Sequence, residues 1–216
     1  MLTLKKAAII GGTGYGAIEL IRLLHQHPKL KVAKVFSHSQ SGEVLSSIYP
    51  HLIDVADIPM EELDVDQLEQ EVDLVFLATP AGVAKEIVPK LQNKNLQVID
   101  LSGDLRLPPE EYEEWYGKSA APQETIEEAV YGLTEIYKDK IKTAKIISNP
   151  GCFPTSALLG LIPALSLGMI EPNGIVVDGK TGVSGAGRTP TAATHFSETN
   201  DNVSPSKIGK HQHIPE

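Results

Sequence analysis

An apolar run at residues 5–10 gives way to Gly11-Gly12-Thr13-Gly14-Tyr15-Gly16-Ala17. Ile18, Ile21 and Leu24, with Leu20 and Leu23, then follow at helical spacing. A buried strand that enters an amphipathic helix through a glycine turn must be completed by a neighbouring parallel strand, so this opening constrains the fold more than any other segment. The loop reads as Gly-x-x-Gly-x-x-Ala on Gly11, Gly14 and Ala17, or as Gly-x-Gly-x-x-Ala on Gly12, Gly14 and Ala17. Glycines at such a turn let the backbone approach a pyrophosphate at the helix N-terminus. The motif alone is weak; its place between strand and helix gives it weight.

The rhythm repeats. Pro28 closes the first helix, and residues 30–36 read as a second strand. Residues 73–78 form another, followed by the turn Thr79-Pro80-Ala81-Gly82 and a helix to about residue 91. Residues 97–101 and 144–148 read as further strands. The expected class is α/β: a Rossmann-type doubly wound parallel sheet over residues 1–150. The second strand runs out into Ser37-His38-Ser39, a row of hydroxyls and an imidazole without a carboxylate. An acid there would bind a ribose 2′-hydroxyl and repel a 2′-phosphate, so the expected cofactor is NADP(H) in preference to NAD.

The only cysteine, Cys152, stands in Asn149-Pro150-Gly151-Cys152-Phe153-Pro154-Thr155, between the strand at 144–148 and an apolar helix running to about residue 167. A thiol at a helix N-terminus faces unpaired backbone N–H groups and the positive end of the helix dipole, a setting that favours the nucleophilic thiolate. One cysteine leaves no internal disulfide framework, and no apolar run is long enough to span a bilayer. With no secretory segment read at the N-terminus, the expectation is a cytoplasmic protein with no membrane partner. Net charge is −9, with acids clustered at 61–71 and 110–114, read as solvated helix faces. No basic patch suits a nucleic acid.

Residues 151–216 read as part of an α+β substrate and dimerisation domain. A strand is expected at 175–178, then the loop Gly182-Val183-Ser184-Gly185-Ala186-Gly187-Arg188 and a polar stretch at 189–210 without periodicity. His211 and His213 titrate near neutral pH and suit proton transfer at a cysteine site. A metal is not expected, because no further ligand set accompanies the two imidazoles. Arg106, Lys180 and Arg188 are candidate ligands for a carboxylate or phosphate.

Taken together, Gly11-Gly12-Thr13-Gly14-Tyr15, the segment from Asp100 to Arg106, Tyr131-Gly132-Leu133, Asn149-Pro150-Gly151-Cys152-Phe153-Pro154-Thr155, the segment from Gly182 to Arg188 and His211-Gln212-His213-Ile214-Pro215-Glu216 resemble the N-acetyl-gamma-glutamyl-phosphate reductases. Ala17, in place of a third glycine, and Thr134, where that family commonly has proline, depart from the pattern. The resemblance implies NADPH-dependent reduction of an acyl phosphate through a Cys152 thioester, in arginine biosynthesis, with His213 or His211 as general acid/base. Cofactor contacts would fall on Gly11, Gly12, Thr13, Gly14, Tyr15, Ala17, Ser37, Ser39, Thr79, Pro80, Ser184 and Gly185. Substrate contacts would fall on Arg106, Asn149, Ser184, Arg188 and Glu216. Aspartate-semialdehyde dehydrogenase, with the same chemistry on a shorter acyl phosphate, is the nearest alternative; a non-catalytic NADP-binding protein is another. Chains of the family continue beyond the His-Gln-His-Ile-Pro-Glu motif, so the second domain is expected to be incomplete, and a homo-oligomer is expected of the full-length protein.

Overall fold

A computed structural model describes residues 4–216. β1 (Lys5–Ile10), α1 (Tyr15–His25), β2 (Leu30–Phe36) and the single turn α2 (Leu45–Ile48) lead to the two-residue β3 (Met60–Glu61) and α3 (Leu68–Glu71). β4 (Leu74–Leu77), α4 (Ala84–Leu91), β5 (Gln97–Asp100), α5 (Pro109–Tyr116) and α6 (Gln123–Glu128) follow. Then come β6 (Val130–Tyr131), α7 (Thr134–Ile141), β7 (Ile146–Ser148), α8 (Cys152–Ser166) and the short α9 (Phe196–Thr199).

The strands form one seven-stranded sheet in the order β3-β2-β1-β4-β5-β7-β6, and every pairing is parallel. The chain winds outward from β1 through β2 to β3, then returns to β4 and winds the other way. This reversal places a topological switch point beside the carboxyl ends of β1 and β4, where open α/β sheets bind their ligands.

Both faces of the sheet are covered. Ala7 and Ile9 of β1, with Leu74 and Phe76 of β4, pack against Ala17, Ile18, Ile21 and Leu24 of α1. Ala8, Ile10, Val75 and Leu77 point the other way, onto Ala84, Ile87, Val88 and Leu91 of α4. This is why these strands read as unbroken apolar runs rather than alternating ones. Each buried Leu, Ile or Val contributes about 1.5–3 kcal/mol of burial free energy, which holds the two helices on opposite faces.

Two expectations fail. No strand forms at 175–178, where Val176 is 89% and Val177 61% exposed. β-branched residues favour extended backbone, but a strand needs a neighbouring edge, and neither β3 nor β6 at the edges of the sheet pairs with this segment. The acids at 61–71 do not share a helix face. Glu61 ends β3, Glu62, Asp64 and Asp66 lie in the loop after it, and Glu69 and Glu71 lie in the single turn of α3; Lys34 binds Glu61 and Glu71 at 2.8 and 3.4 Å. The acids at 110–114 do lie on an exposed face, that of α5.

Candidate active site at the carboxyl end of the sheet

In a parallel sheet every strand delivers its following loop to the same edge. Here the β1, β2 and β4 loops make one half of a site, and the β5, β6 and β7 loops make the other.

In the first half, Gly11 has φ +86°, and a Cβ there would sit 2.6 Å from the Ala78 carbonyl oxygen; a Cβ on Gly12 would collide with Val35 Cγ1. Gly14 has no such crowding; it caps α1 without a side chain and leaves the first-turn amides open to a ligand. Ala17 is fully buried and lets α1 lie close on the sheet. The Thr13 carbonyl accepts a 2.7 Å hydrogen bond from Tyr49 Oη, and Tyr15 is 45% exposed at the rim. Thr79 follows β4, against Gly11, and its Oγ1 is buried without a hydrogen-bond partner among the described residues. An orphaned hydroxyl beside a glycine turn fits a dinucleotide that supplies the missing partner. Pro80 is exposed on the same loop. Ser37 is enclosed, with its N–H donating to the Glu61 carbonyl oxygen, whereas Ser39 is exposed. Glu61, on the paired strand beside the end of β2, has its carboxylate bound by Lys34 at 2.8 and 2.9 Å, and the Glu62 carboxylate lies 3.9 Å from His38 Nδ1.

In the second half, Gly151 is the N-cap of the fifteen-residue α8, and Cys152 is its first residue, with its side chain exposed. The Gly151 N–H donates to Glu216 Oε1 at 2.7 Å, and Tyr131 Oη donates to the same oxygen at 2.9 Å. Arg106 Nη1 lies 3.3 Å from Glu216 Oε2 and 3.3 Å from His213 Nε2. Its Nε donates to the Asn149 carbonyl oxygen at 2.8 Å, and its Nη2 to that of Leu101 at 3.0 Å. The Arg106 and Glu216 side chains are only 6% and 1% exposed, so this is a buried ion pair. Gly151 has no room for a side chain: a Cβ would come within 2.6 Å of the His213 ring.

A guanidinium only donates, so His213 Nε2 accepts from Arg106 and the ring proton sits on Nδ1, which is buried without a partner among the described residues. Burial lowers the His213 pKa to about 4; the nearby Glu216 carboxylate pulls the other way, and Arg106 adds to the lowering. His213 is therefore neutral at pH 7. Burial, with the charge of Lys207, also lowers the pKa of His211, whose Nδ1 accepts from the His213 N–H at 3.2 Å. Phe153 packs edge-on to the His211 ring at 5.1 Å. Burial and the hydrogen bond to Glu216 raise the Tyr131 pKa.

Beneath this cluster lies Asp100, fully buried at the end of β5. Its carboxylate accepts from Ser102 N–H and Ser102 Oγ, each at 2.9 Å. Burial raises its pKa to about 6; the Ser102 hydrogen bonds resist that shift, and the neighbouring Asp104 charge adds to it.

The structure thus gathers Cys152, Asn149, Arg106, His211, His213 and Glu216 at one sheet edge. Ser184, Gly185 and Arg188 are not brought to them. The first two are exposed, and their hydrogen bonds stay within their own turn. The Arg188 guanidinium lies 5.0 Å over the Tyr49 ring, beside the nucleotide loop. Lys180 is exposed and paired with Asp178 at 2.6 Å. Among the described residues no three His, Cys, Asp or Glu side chains converge as metal ligands, and no helix is long and apolar enough to cross a membrane. Sequence reasoning gave no role to Tyr131, Tyr49 or Asp104; the partners of the first two, Glu216 and the Thr13 carbonyl, are 85 and 36 residues away in the chain.

Residues 6–144 match the family model described as semialdehyde dehydrogenase, NAD binding domain, and residues 152–216 match semialdehyde dehydrogenase, dimerisation domain. The N-acetyl-gamma-glutamyl-phosphate reductase of Oceanobacillus iheyensis is 62% identical over 213 residues, covering 99% of this chain and 62% of that protein. The protein of the same name from Bacillus cereus strain 03BB102 is 52% identical, covering 98% of this chain and 61% of its own length. The chain spans about three-fifths of the length of these curated relatives. Among solved structures, aspartate semialdehyde dehydrogenase II from Vibrio cholerae shares the fold, with a TM-score of 0.57 and 13% identity over 76% of this chain and 43% of that one. A probable aspartate-semialdehyde dehydrogenase from Pseudomonas aeruginosa gives 0.53 and 19%, covering 76% of this chain and 43% of that one.

Proposed function

The chain belongs to the semialdehyde dehydrogenase family, and from that premise we propose that the protein it represents reduces N-acetyl-L-glutamyl 5-phosphate to N-acetyl-L-glutamate 5-semialdehyde, releasing phosphate, as a step of arginine biosynthesis. One observation carries the reading: a cysteine on the first turn of a long helix and a glycine cradle for a dinucleotide lie at the same edge of one parallel sheet.

Cys152 Sγ attacks the acyl carbonyl carbon. The bond from that carbon to the phosphate oxygen breaks, phosphate leaves, and a thioester remains on Cys152. An anion forming at Sγ faces the unpaired first-turn amides of α8. When bound, NADPH supplies hydride to the thioester carbon. The thiohemiacetal on Cys152 then collapses, the sulfur–carbon bond breaks, and the aldehyde departs. The His211–His213 pair takes the thiol proton and passes it to the departing phosphate oxygen, and the thiolate freed when the aldehyde leaves recovers a proton from solvent. Glu216, clamped by Gly151 N–H, Tyr131 and Arg106, holds the turn that aims Cys152. Arg106 already donates to four protein partners, so a substrate anion reaches it only by displacing Glu216 or His213.

The proposed cofactor is NADPH. Gly11, Gly12, Thr13, Gly14 and Thr79 would hold it. Glu61, beside the end of β2, is neutralised by Lys34 and so opposes a 2′-phosphate less than a free carboxylate would, while Glu62 faces His38 at 3.9 Å. Residues 1–150 then form the cofactor part, and residues 151–216 belong to a substrate and dimerisation part. A homo-oligomer acting in the cytoplasm completes the proposal, consistent with a single free thiol.

The test is NADP reduction by the full-length protein with phosphate and either N-acetylglutamate semialdehyde or aspartate semialdehyde. Turnover with the first is expected; turnover with the second alone would overturn the assignment.

A further inference from the structure

Asp104 is fully buried on the loop between β5 and α5, and the reaction above does not use it. Its Oδ1 accepts from the Gly82 N–H and from Tyr112 Oη, both at 2.7 Å; its Oδ2 accepts from the Gly82 N–H at 2.9 Å and the Lys85 N–H at 3.1 Å. The Lys85 amide lies in the first turn of α4 and the Gly82 amide just before it, and the helix's own N-cap residue, Val83, provides no side-chain cap. A carboxylate from 22 residues away therefore caps the helix across two loops. Several charge-assisted donors together with the helix dipole offset the desolvation of such an internal charge.

The loop fixed in this way carries Thr79, whose buried Oγ1 has no partner among the described residues and whose Cγ2 borders Gly11. On its own loop Asp104 is two residues from Arg106, which holds Glu216 and the Asn149 carbonyl. Tyr112 stacks on Tyr116 at 4.6 Å, and the Tyr116 ring packs against Gly103, so the β5–α5 loop is backed by aromatic surface rather than by water.

We propose that Asp104 is a positioning residue for the cofactor. It sets the height of the Thr79–Gly82 loop against the β1 glycine turn, and it registers that loop to the strand end that carries Arg106. The proposal rests on the dinucleotide reading above. It also assigns a division of labour between helices: the N-terminus of α4 is occupied by the protein's own carboxylate, leaving the N-terminus of α1 to the cofactor's phosphates.

The experiment is a fluorescence titration of NADPH into full-length protein, with kcat and the KM for NADPH measured alongside. Asp104→Asn keeps an amide oxygen for the Gly82 and Lys85 N–H groups, with its NH2 facing the Tyr112 hydroxyl, but removes the negative charge. Loss of that charge-assisted contact is expected to raise the NADPH Kd about tenfold, with KM following and kcat at saturating NADPH within about twofold. Tyr112→Phe keeps the carboxylate and both amide contacts, and is expected to raise Kd only about threefold. A lowered Tm with Kd unchanged in Asp104→Asn overturns the proposal, because that is what a merely structural role gives. Should Asp104→Asn fail to fold, an unchanged Kd in Tyr112→Phe overturns it equally. If the unmodified protein does not bind NADPH, the dinucleotide reading falls and takes this proposal with it.

Discussion

Asp100→Asn should make the protein more stable relative to the parent as pH rises. The carboxyl is fully buried, and its pKa is raised from 3.8 to about 6, chiefly by burial. A group whose folded pKa lies above its unfolded one binds more protons in the native state, so between those two values the parent loses stability as pH increases. At about 1.36 kcal/mol per pKa unit, the full penalty above pH 6 comes to about 3 kcal/mol. Integrating the two titrations leaves roughly half of that penalty incurred at pH 5 and nearly all of it at pH 7.5, a change of roughly 1 kcal/mol across that interval. Asparagine cannot titrate, yet its oxygen can accept from the Ser102 N–H and its amide can donate to the Ser102 hydroxyl, so the local hydrogen bonds survive. His213 acts in the opposite direction. Its folded pKa of about 4 lies below 6.5, so its contribution rises with pH over that window and masks Asp100 in the parent alone. The difference between parent and variant removes it. Chemical denaturation of both full-length proteins at pH 5.0 and 7.5 should show the variant gaining roughly 1 kcal/mol on the parent. A difference that stays flat to within about 0.5 kcal/mol, or that moves the other way, would refute the claim that burial controls this carboxyl.

Three other outcomes follow from the same geometry. Glu216→Gln leaves the buried Arg106 charge without its partner and should cost about 3 kcal/mol in denaturation midpoints while slowing turnover; a loss below about 1 kcal/mol would mean that the pair is not buried in solution. Gly12→Ala drives a methyl into Val35 Cγ1 and should cost about 1–3 kcal/mol in stability and weaken NADPH binding; unchanged binding would separate Gly12 from the cofactor turn. Cys152→Ser should lower turnover by roughly three orders of magnitude or more while leaving the NADPH Kd within about twofold, read by steady-state kinetics beside a fluorescence titration; retained turnover would remove Cys152 as the nucleophile.

Much of the sheet was legible because its central strands are covered on both faces and therefore read as plain apolar runs bounded by glycine, proline or polar turns. β1 with α1, β4 with α4, and β7 with α8 all fell where pattern placed them. β3 and β6 did not show: each is two residues long and exists only because a longer neighbour offers an edge. The segment at 175–178 misled for the complementary reason, since Ile175-Val176-Val177 has strand propensity but pairs with no edge among the described residues. In the site, Gly11 and Gly12 were visible because a side chain at either would collide with its neighbours, and the place of Cys152 because it opens an apolar helix after a strand. The contacts of Tyr131, Tyr49 and Asp104 were not, because topology alone sets which distant group each one meets.

The docking of Glu216 on the Gly151 N–H joins positions 65 residues apart in sequence. Closing so long a tether carries an entropic cost that depends only weakly on its exact length, while the sheet beneath stands on its own contacts. Undocking can therefore proceed as a local opening that leaves β5 and β7 paired. The Gly151 amide, hidden only while Glu216 is seated, becomes a natural clock for that motion: its hydrogen exchange measures how often the cysteine turn is released, separately from how often the whole protein unfolds.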